Sequence, residues 1–583
     1  MMVKPIAGPF KGETHPPRYR LHKYWARKPH NVVKAHIAHY TLPGDIVLDP
    51  FCGSGVTIAE SLLAGRKAVG IDLNPLAVEV TRALINSCSM EELAEAFRII
   101  EDKVAGYIEQ KFSHPCPLCN KKVTIKHRVC SSVATCPNCL NEQILGTPEE
   151  KSVKKINCNS CGERILSEFV TRDLINAVVL DCKKCRYKGR LFVANGSLGF
   201  AKGGAKFFPN RRIMAYPGMH CGSLFTSENW KYLKKLKAAI LELDEALQPS
   251  FLTLLSSTAS QVSRLIPYRQ NLSSGGPAWT VPGFWVPRVH IQLNVWRTFF
   301  NRYKNFMRAM TDMRGPGMRP SSLTDSFEDL HYSPPGFGLV YEGDSCQLSL
   351  PDESVDYIIT DPPYGDSIPY LEFSQIWNEW IGRKPLYEKE VVISNSPERC
   401  KGMENYGSGL SKVFSEMGRV LKPGKWATVF FQNRNLSVWN LLRLAARKAG
   451  LVLKSVSLQY PAVVSGKSQL AREGSLTGDL VLQFQKEIYL NKKVSSDLSS
   501  SLAKAGEKQN TTVVIESIID SSVARHSGKK NSFSLIASDV LVELWEKNCD
   551  FKCGDIGTRI RSRIVGGSFI NEKTNSNEET DNL

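Results

Sequence analysis

Two residue patterns in this chain can do chemistry. The first is Asp361-Pro362-Pro363-Tyr364, which follows the apolar run Tyr357 to Thr360. That run predicts a buried strand delivering the tetrapeptide at its carboxyl end, the side of an open α/β sheet where ligands bind. An exocyclic amino group on a base is a poor nucleophile, because its lone pair is delocalised into the ring. Asp361 can accept one amino hydrogen and the Pro362 carbonyl the other, drawing the nitrogen toward a tetrahedral geometry. Two successive prolines stiffen the loop, and Tyr364 offers a ring on which a flipped base can stack.

The second pattern is four CxxC pairs: Cys116/Cys119, Cys136/Cys139, Cys158/Cys161 and Cys182/Cys185. Cys119 and Cys136 are separated by 16 residues, and Cys161 and Cys182 by 20. Both gaps suit a tetrahedral four-thiolate zinc ribbon. The expected assignment is therefore sequential, with the first four cysteines on one Zn²⁺ and the last four on another. The gap from Cys139 to Cys158 is 18 residues, so spacing leaves an interleaved pairing open. His114, His127 and Cys130 read as bystanders, and a four-thiolate site with no open position is structural.

The tetrapeptide needs a partner site for the group it would accept. Ile46, Val47 and Leu48 predict a short buried strand, followed by Asp49-Pro50-Phe51-Cys52-Gly53-Ser54-Gly55 and a helix from Val56 to Ala64. Glycines at 53 and 55 let the backbone approach a ligand. A second strand, Ala68 to Ile71, ends at Asp72, 23 residues beyond Asp49. That is the usual place for a carboxylate accepting from ribose hydroxyls in a βαβ nucleotide site. Ile58 stands where a dinucleotide fingerprint would have its third glycine, which weakens an NAD reading. A purely structural glycine turn is the bland alternative.

DPFCGSG followed far downstream by DPPY resembles the N6-adenine and N4-cytosine DNA methyltransferase superfamily. The upstream order strengthens the resemblance: His22 to Pro29 (HKYWARKP), about a dozen helical residues, then Pro-Gly-Asp. It covers residues 20 to 90 and 338 to 486, where Leu421 to Lys425 followed by the strand Trp426 to Phe431 resembles the fifth sheet strand. Leu451 to Tyr460 and Asp479 to Phe484 would close the sheet as a hairpin-like pair. The resemblance implies an α/β, Rossmann-like, S-adenosylmethionine-dependent methyltransferase sheet, interrupted by a zinc-ribbon and helical insertion. It implies cofactor contacts from Lys28, Pro29, Asp49, Pro50, Phe51, Gly53, Ser54, Gly55, Thr57, Asp72, Asn74, Asp344 and Ser345. Asp361, Pro362, Pro363 and Tyr364 would be catalytic. DPPY accompanies adenine more often than cytosine, which favours adenine N6 in double-stranded DNA with the base flipped. N4-cytosine methylation, an RNA guanine-N2 methyltransferase and a decayed nucleic-acid-binding protein are the alternatives. A restriction or defence partner is compatible with the resemblance, and it does not give an oligomeric state.

Charge and length supply the frame. The 583 residues imply several units, 42% hydrophobic and 23% charged residues are an ordinary globular balance, and 75 Lys/Arg against 57 Asp/Glu leave a net charge of +18. Residues 111–200 hold 15 basic and 7 acidic side chains, and residues 201–320 hold 17 and 5, so the excess belongs to the middle of the chain. There, Arg264, Tyr268, Arg269, Trp279, Phe284, Trp285, Arg288, Trp296, Arg297, Arg302 and Tyr303 interleave cations with rings, as a DNA-facing target-recognition region would. Trp296, Phe299 and Phe300 could instead be the core of an amphipathic helix. The expected division is 1–110 and 336–490 for the methyltransferase fold, 111–200 for the ribbons and 201–335 for target recognition. A linker (491–511), a small helical module (512–570) and a disordered tail (571–583) would follow. With neither a long apolar run nor an export signal, a cytoplasmic protein without membrane contact is expected.

Overall fold

Alternating apolar strands and capped helices build the first part of the chain. Strand β1 (Phe10–Lys11) is followed by α1 (His30–Tyr40), β2 (Ile46–Asp49), α2 (Val56–Leu63), β3 (Lys67–Asp72), α3 (Pro75–Leu84) and α4 (Met90–Lys111). A β-rich excursion then carries β4 (Ser113–Pro115), β5 (Lys122–Thr135), β6 (Glu142–Ile144), β7 (Val170–Asp181) and β8 (Lys188–Leu198). Helices α5 (Ser227–Leu241) and α6 (Gln248–Gln261), strand β9 (Val289–Leu293) and helix α7 (Val295–Met313) lead back to the main sheet. It resumes with β10 (Ser322–Leu323), α8 (Phe327–Tyr332), β11 (Phe337–Glu342), β12 (Val355–Thr360) and α9 (Tyr370–Ile381). The remaining elements are α10 (Met403–Val420), β13 (Leu421–Phe431), α11 (Leu436–Lys448), β14 (Leu451–Tyr460) and β15 (Asp479–Lys486). This computed structural model describes residues 3–85, 87–148, 156–269, 283–315, 322–433, 435–462 and 478–488, with single positions between 518 and 543.

The main sheet has nine strands in the order β1-β14-β15-β13-β12-β2-β3-β11-β10. Every neighbouring pair is parallel except those of β15, which runs antiparallel to both β13 and β14. The expected closing pair is thus present, with β15 wedged between the fifth strand and β14. Leaving out the two-residue edges β1 and β10, this is the Rossmann-like methyltransferase sheet, with its order reversing between β2 and β12. Those two strands are buried along their whole length, as expected of central parallel strands covered on both faces.

Period-two alternation sends side chains to two cores. Val47, Tyr357 and Ile359 face one cluster, while Ile46, Leu48 and Ile358 face the other. The second face is covered by α10 and α11 through Tyr406, Phe414 and Trp439. The first face is covered partly by the insertion: Leu233 of α5, Phe251 and Leu254 of α6, and Phe299 and Phe306 of α7 join the same core. In α7 the buried residues Trp296, Phe299, Phe306, Met310 and Met313 recur at helical spacing. Asn294 caps the helix by accepting from the Arg297 amide at 3.1 Å.

This places the apolar face of α7, within the 201–320 stretch expected to face DNA, in the core. Trp296 and Phe299 are core residues stacked on Phe97, with Phe300 and Tyr303 packed beside them. Phe284 is buried, and Arg264 is buried in an ion pair with Asp173 at 2.8 Å while lying 3.6 Å over the Phe200 ring. Tyr268 receives a hydrogen bond from Arg190, and Arg288 and Arg302 are half-buried. Of that group Arg269, Trp285 and Arg297 are exposed, and Trp279 lies outside the described residues. The linker, most of the 512–570 module and the tail also lie outside them, although Ile518, Ile519, Ile536 and Val540 are buried in the second core. Among the described residues no helix is long and apolar enough to cross a membrane.

Candidate active site and cysteine clusters

The turn after β2 is held open by its own backbone. Gly53 and Gly55 have φ of +51° and +78°, a region that side chains disfavour. A Cβ on Gly55 would also stand 2.7 Å from Thr81 Cγ2 of α3. The Gly53 amide donates to Asp72 Oδ2 at 2.9 Å, and the Asn74 amide donates to Asp72 Oδ1 at 2.9 Å. Burial pushes Asp72 up to about 7, against those two donors, and Asp49 up to about 6. Helix α2 begins at this turn, and Val56 and Thr57 of its first turn line the cleft. The missing third glycine has a replacement on the other partner: Gly70 of β3 faces Ile58, and a Cβ there would come within 2.9 Å of the isoleucine. Gly55→Ala is expected to weaken cofactor binding about tenfold or more, measured by calorimetry on the folded variant, because the turn must move to accept the methyl group.

Adjacency of β2 and β12 brings the tetrapeptide to this turn. Val47 pairs with Tyr357 and Leu48 with Ile358, and Thr360 donates to Asp49 Oδ1 at 2.8 Å. Asp361 lies just beyond. Lys28 Nζ is 3.2 Å from Asp361 Oδ2, 2.6 Å from Asp479 Oδ2 and 2.6 Å from the Tyr364 hydroxyl, which itself donates to Asp361 Oδ1. Burial works against the Lys28 cation, but the Asp361 and Asp479 carboxylates outweigh it and hold the ammonium above its ordinary range. Burial, with Asp479 adding to it, moves Asp361 up to about 7 against the pull of Lys28. One cation between two half-buried carboxylates leaves one negative charge uncompensated when both are ionised. The loop is pinned from behind, by Tyr406 donating to the Pro363 carbonyl at 2.7 Å and Asn433 donating to the Tyr364 carbonyl at 2.8 Å. Among the described residues no donor reaches the Pro362 carbonyl.

These groups share one open cleft. Lys28, Asp49, Phe51, Gly53, Ser54, Thr57, Asp72, Asn74, Asp344, Ser345, Asp361 and Pro363 line it, as their positions in the sequence suggested. Pro29, Pro50, Gly55, Pro362 and Tyr364 do not. Pro29 precedes α1, and the Pro50 carbonyl receives the Ser345 hydroxyl. Lys28 lines the cleft and also faces Asp361 of the tetrapeptide. Tyr364 offers no free face, being 7% exposed with its ring edge-on to Phe431 at 5.1 Å.

Other residues of the cleft carried no local signal. Tyr24 stacks on Tyr370 at 6.2 Å across the mouth, and Glu390 lines the wall. Asp479, on a strand more than a hundred residues from the tetrapeptide, does not line the cleft but reaches Lys28, a contact visible only in the fold. Arg27 sits beside Lys28 in the HKYWARKP string and could have been suspected. Its guanidinium donates to Ser54 Oγ at 2.9 Å and to the Tyr19 and His22 carbonyls, and it has no carboxylate partner among the described residues. Burial lowers it to about 10.

The cysteines pair otherwise than expected. Cys116, Cys119, Cys182 and Cys185 form one cluster, and Cys136, Cys139, Cys158 and Cys161 the other. The cause is the ladder between β5 and β7, in which Ile125 faces Leu180 and Ala134 faces Val170. Antiparallel pairing sets the knuckle before β5 against the knuckle after β7, and joins the two inner knuckles at the opposite end. Each knuckle has the same backbone. The first cysteine's amide donates to the carbonyl five residues on (Lys121, Asn141, Glu163 and Tyr187), and Asn120, Leu140, Gly162 and Arg186 have positive φ. The facing Sγ atoms are 3.4 to 3.7 Å apart. That is too long for disulfides and near the roughly 3.8 Å edge of a tetrahedron with 2.3 Å metal–sulfur bonds. Both clusters could bind a metal ion.

Sheet order defines a Rossmann-like α/β fold with a cleft at the point where the strand order reverses. Residues 8–83 match the family model described as DNA methylase. The type II methyltransferase M.BsoBI of Geobacillus stearothermophilus is 37% identical over 73 residues, 12% of this chain and 14% of that protein. The DNA adenine methyltransferase YhdJ of Escherichia coli is 43% identical over 60 residues, 10% and 20% of the two chains. This chain therefore spans a fifth or less of the length of these relatives. Among solved structures, an S-adenosylmethionine-dependent methyltransferase of Methanosarcina mazei aligns with 12% identity over 31% of this chain and 76% of its own, at a TM-score of 0.16.

Proposed function

We propose that this protein is an S-adenosylmethionine-dependent DNA methyltransferase acting on an exocyclic amino nitrogen, adenine N6 in a specific sequence, with Zn²⁺ in both four-thiolate clusters. The observation that carries the reading is the meeting, at the switch point of the sheet, of the glycine turn with Asp361, whose carboxylate faces Lys28 at 3.2 Å. The division into a methyltransferase fold at 1–110 and 336–490 around an inserted 111–335 agrees with this reading.

The residues present suit the cofactor. Asp72 would accept from its ribose, the Gly53–Gly55 turn admits close backbone approach, and Asp344 and Ser345 close the adenine side. Arg27, half-buried and without a carboxylate partner among the described residues, suits the one carboxylate that S-adenosylmethionine carries. When bound, the cofactor supplies an electrophilic methyl group. The chain does the rest: Asp361 and the Pro362 carbonyl accept the two amino hydrogens of the target base and so localise its lone pair. Lys28 fixes the Asp361 carboxylate, and Asp361 or water takes the proton released as the nitrogen is alkylated.

Incubating the protein with labelled cofactor and separate DNA and RNA pools, then identifying the modified nucleoside, tests this reading. N6-methyladenine in DNA is expected. Label confined to RNA, or N4-methylcytosine alone, overturns the substrate or the base. The charge arrangement gives a pH dependence. Asp361 must be a carboxylate to accept both the amino hydrogen and the proton, so kcat/KM should fall as pH drops through about 7. Asp479→Asn removes the second negative charge and should move that limb to lower pH, whereas Lys28→Met should move it higher.

A further inference from the structure

The nested pairing sorts the charge of the ribbons in a way their order in the chain does not. The cluster of Cys116, Cys119, Cys182 and Cys185 is framed by residues 113–126 and 181–190. Lys121, Lys122, Lys126, Lys183, Lys184, Arg186 and Lys188 are all exposed there, and Asp181 is the single carboxylate. None of those seven cations forms an ion pair among the described residues. The described part of the other cluster, 136–145 and 156–169, carries Glu142, Glu163 and Glu168 against Arg164. Lys121 and Lys122 sit immediately after one knuckle, while Lys183 and Lys184 lie within the opposing one. A metal holding the four thiolates would therefore fix both cationic pairs on one rigid tip. Leu118 is exposed at the same end, at 70%.

This tip is also the end of the ladder remote from the catalytic loop. The opposite end, through Ser132, Leu145 and Ile165, shares a cavity with Met214 and Tyr216, and Arg212 nearby donates to the Asp366 and Ser367 carbonyls just past the tetrapeptide. β5 is 14 residues long, so the two ends are roughly 45 Å apart at about 3.3 Å per residue. That exceeds a helical turn of duplex, about 34–36 Å.

We propose that this cationic tip is a phosphate-binding arm that grips duplex DNA flanking the target, rather than the target base. The inference rests on the DNA reading above for its partner. A row of exposed, unpaired cations with no clustered acids neutralises phosphates, releases counterions and sets register without reading sequence.

The test uses the full-length, metal-loaded protein and its Lys121→Gln/Lys122→Gln/Lys183→Gln/Lys184→Gln variant, with a labelled 30-base-pair duplex titrated across ionic strength by fluorescence anisotropy. The slope of log K against log salt should become shallower by about 3 to 4, close to 0.9 per lost phosphate contact. KM for DNA should rise about tenfold or more while kcat at saturating DNA, cofactor affinity and metal content stay unchanged. An unchanged salt slope overturns the arm. So does polyglutamate competing with the duplex for the wild-type protein as strongly as unlabelled DNA does, which would mark a docking surface for an acidic protein. A shallower slope in a protein that methylates no DNA would keep the arm and overturn only the catalytic reading.

Discussion

Asp361→Ala should lower methyl transfer to DNA by about 10³-fold or more, with cofactor affinity within a few-fold of the parent, measured by single-turnover methylation and calorimetry. Two effects add: the variant loses an acceptor for the amino hydrogen and the site where the proton goes, each worth about 10²-fold or more in comparable enzymes. The fold should survive, because Lys28 stays paired with Asp479 at 2.6 Å. Truncating one partner of a buried ion pair usually strands the other at a cost of about 3–5 kcal/mol, and here the second carboxylate prevents that. Asp361→Asn keeps the size but replaces an acceptor with an amide that can donate, so it should be nearly as inactive. A variant retaining a tenth of the parental rate would remove Asp361 from the mechanism.

The second large effect concerns metal stoichiometry. Substituting Cys116, Cys119, Cys182 and Cys185 together by serine should leave one equivalent of zinc per chain, whereas substituting Cys116, Cys119, Cys136 and Cys139 should leave none, as read by elemental analysis of purified protein. Sequential pairing predicts the reverse, so the two quadruple variants separate the arrangements without a structure. Stability should follow the metal. Structural zinc contributes on the order of 10 kcal/mol or more to small domains. The second variant should therefore lose protease resistance along both ends of the β5–β7 ladder, the first only at the end bearing Lys121 and Lys183.

The sequence by itself determined the parts of the site that lie within one strand and its turn. Asp49 to Gly55, Asp72 and Asp361 to Tyr364 are each written into a short string, because a buried strand must end somewhere and its next residues must face the crevice. Spacing also determined that eight cysteines make two four-thiolate clusters. What only the tertiary structure decided depends on which segments become neighbours. Antiparallel pairing of β5 with β7, not proximity in the chain, chose the partners of each CxxC. The burial of α7 against Phe97 made Trp296 and Phe299 core, the alternative to the DNA-facing reading, because amphipathic patterning does not say what covers the apolar face. Lys28 looked like a cofactor contact from its place before α1. It also became the counter-ion of the tetrapeptide because β15, more than four hundred residues later, inserts between β13 and β14 and carries Asp479 to the same point. Electrostatic pairing acts over a few ångströms of space, and distance along the chain has no bearing on it.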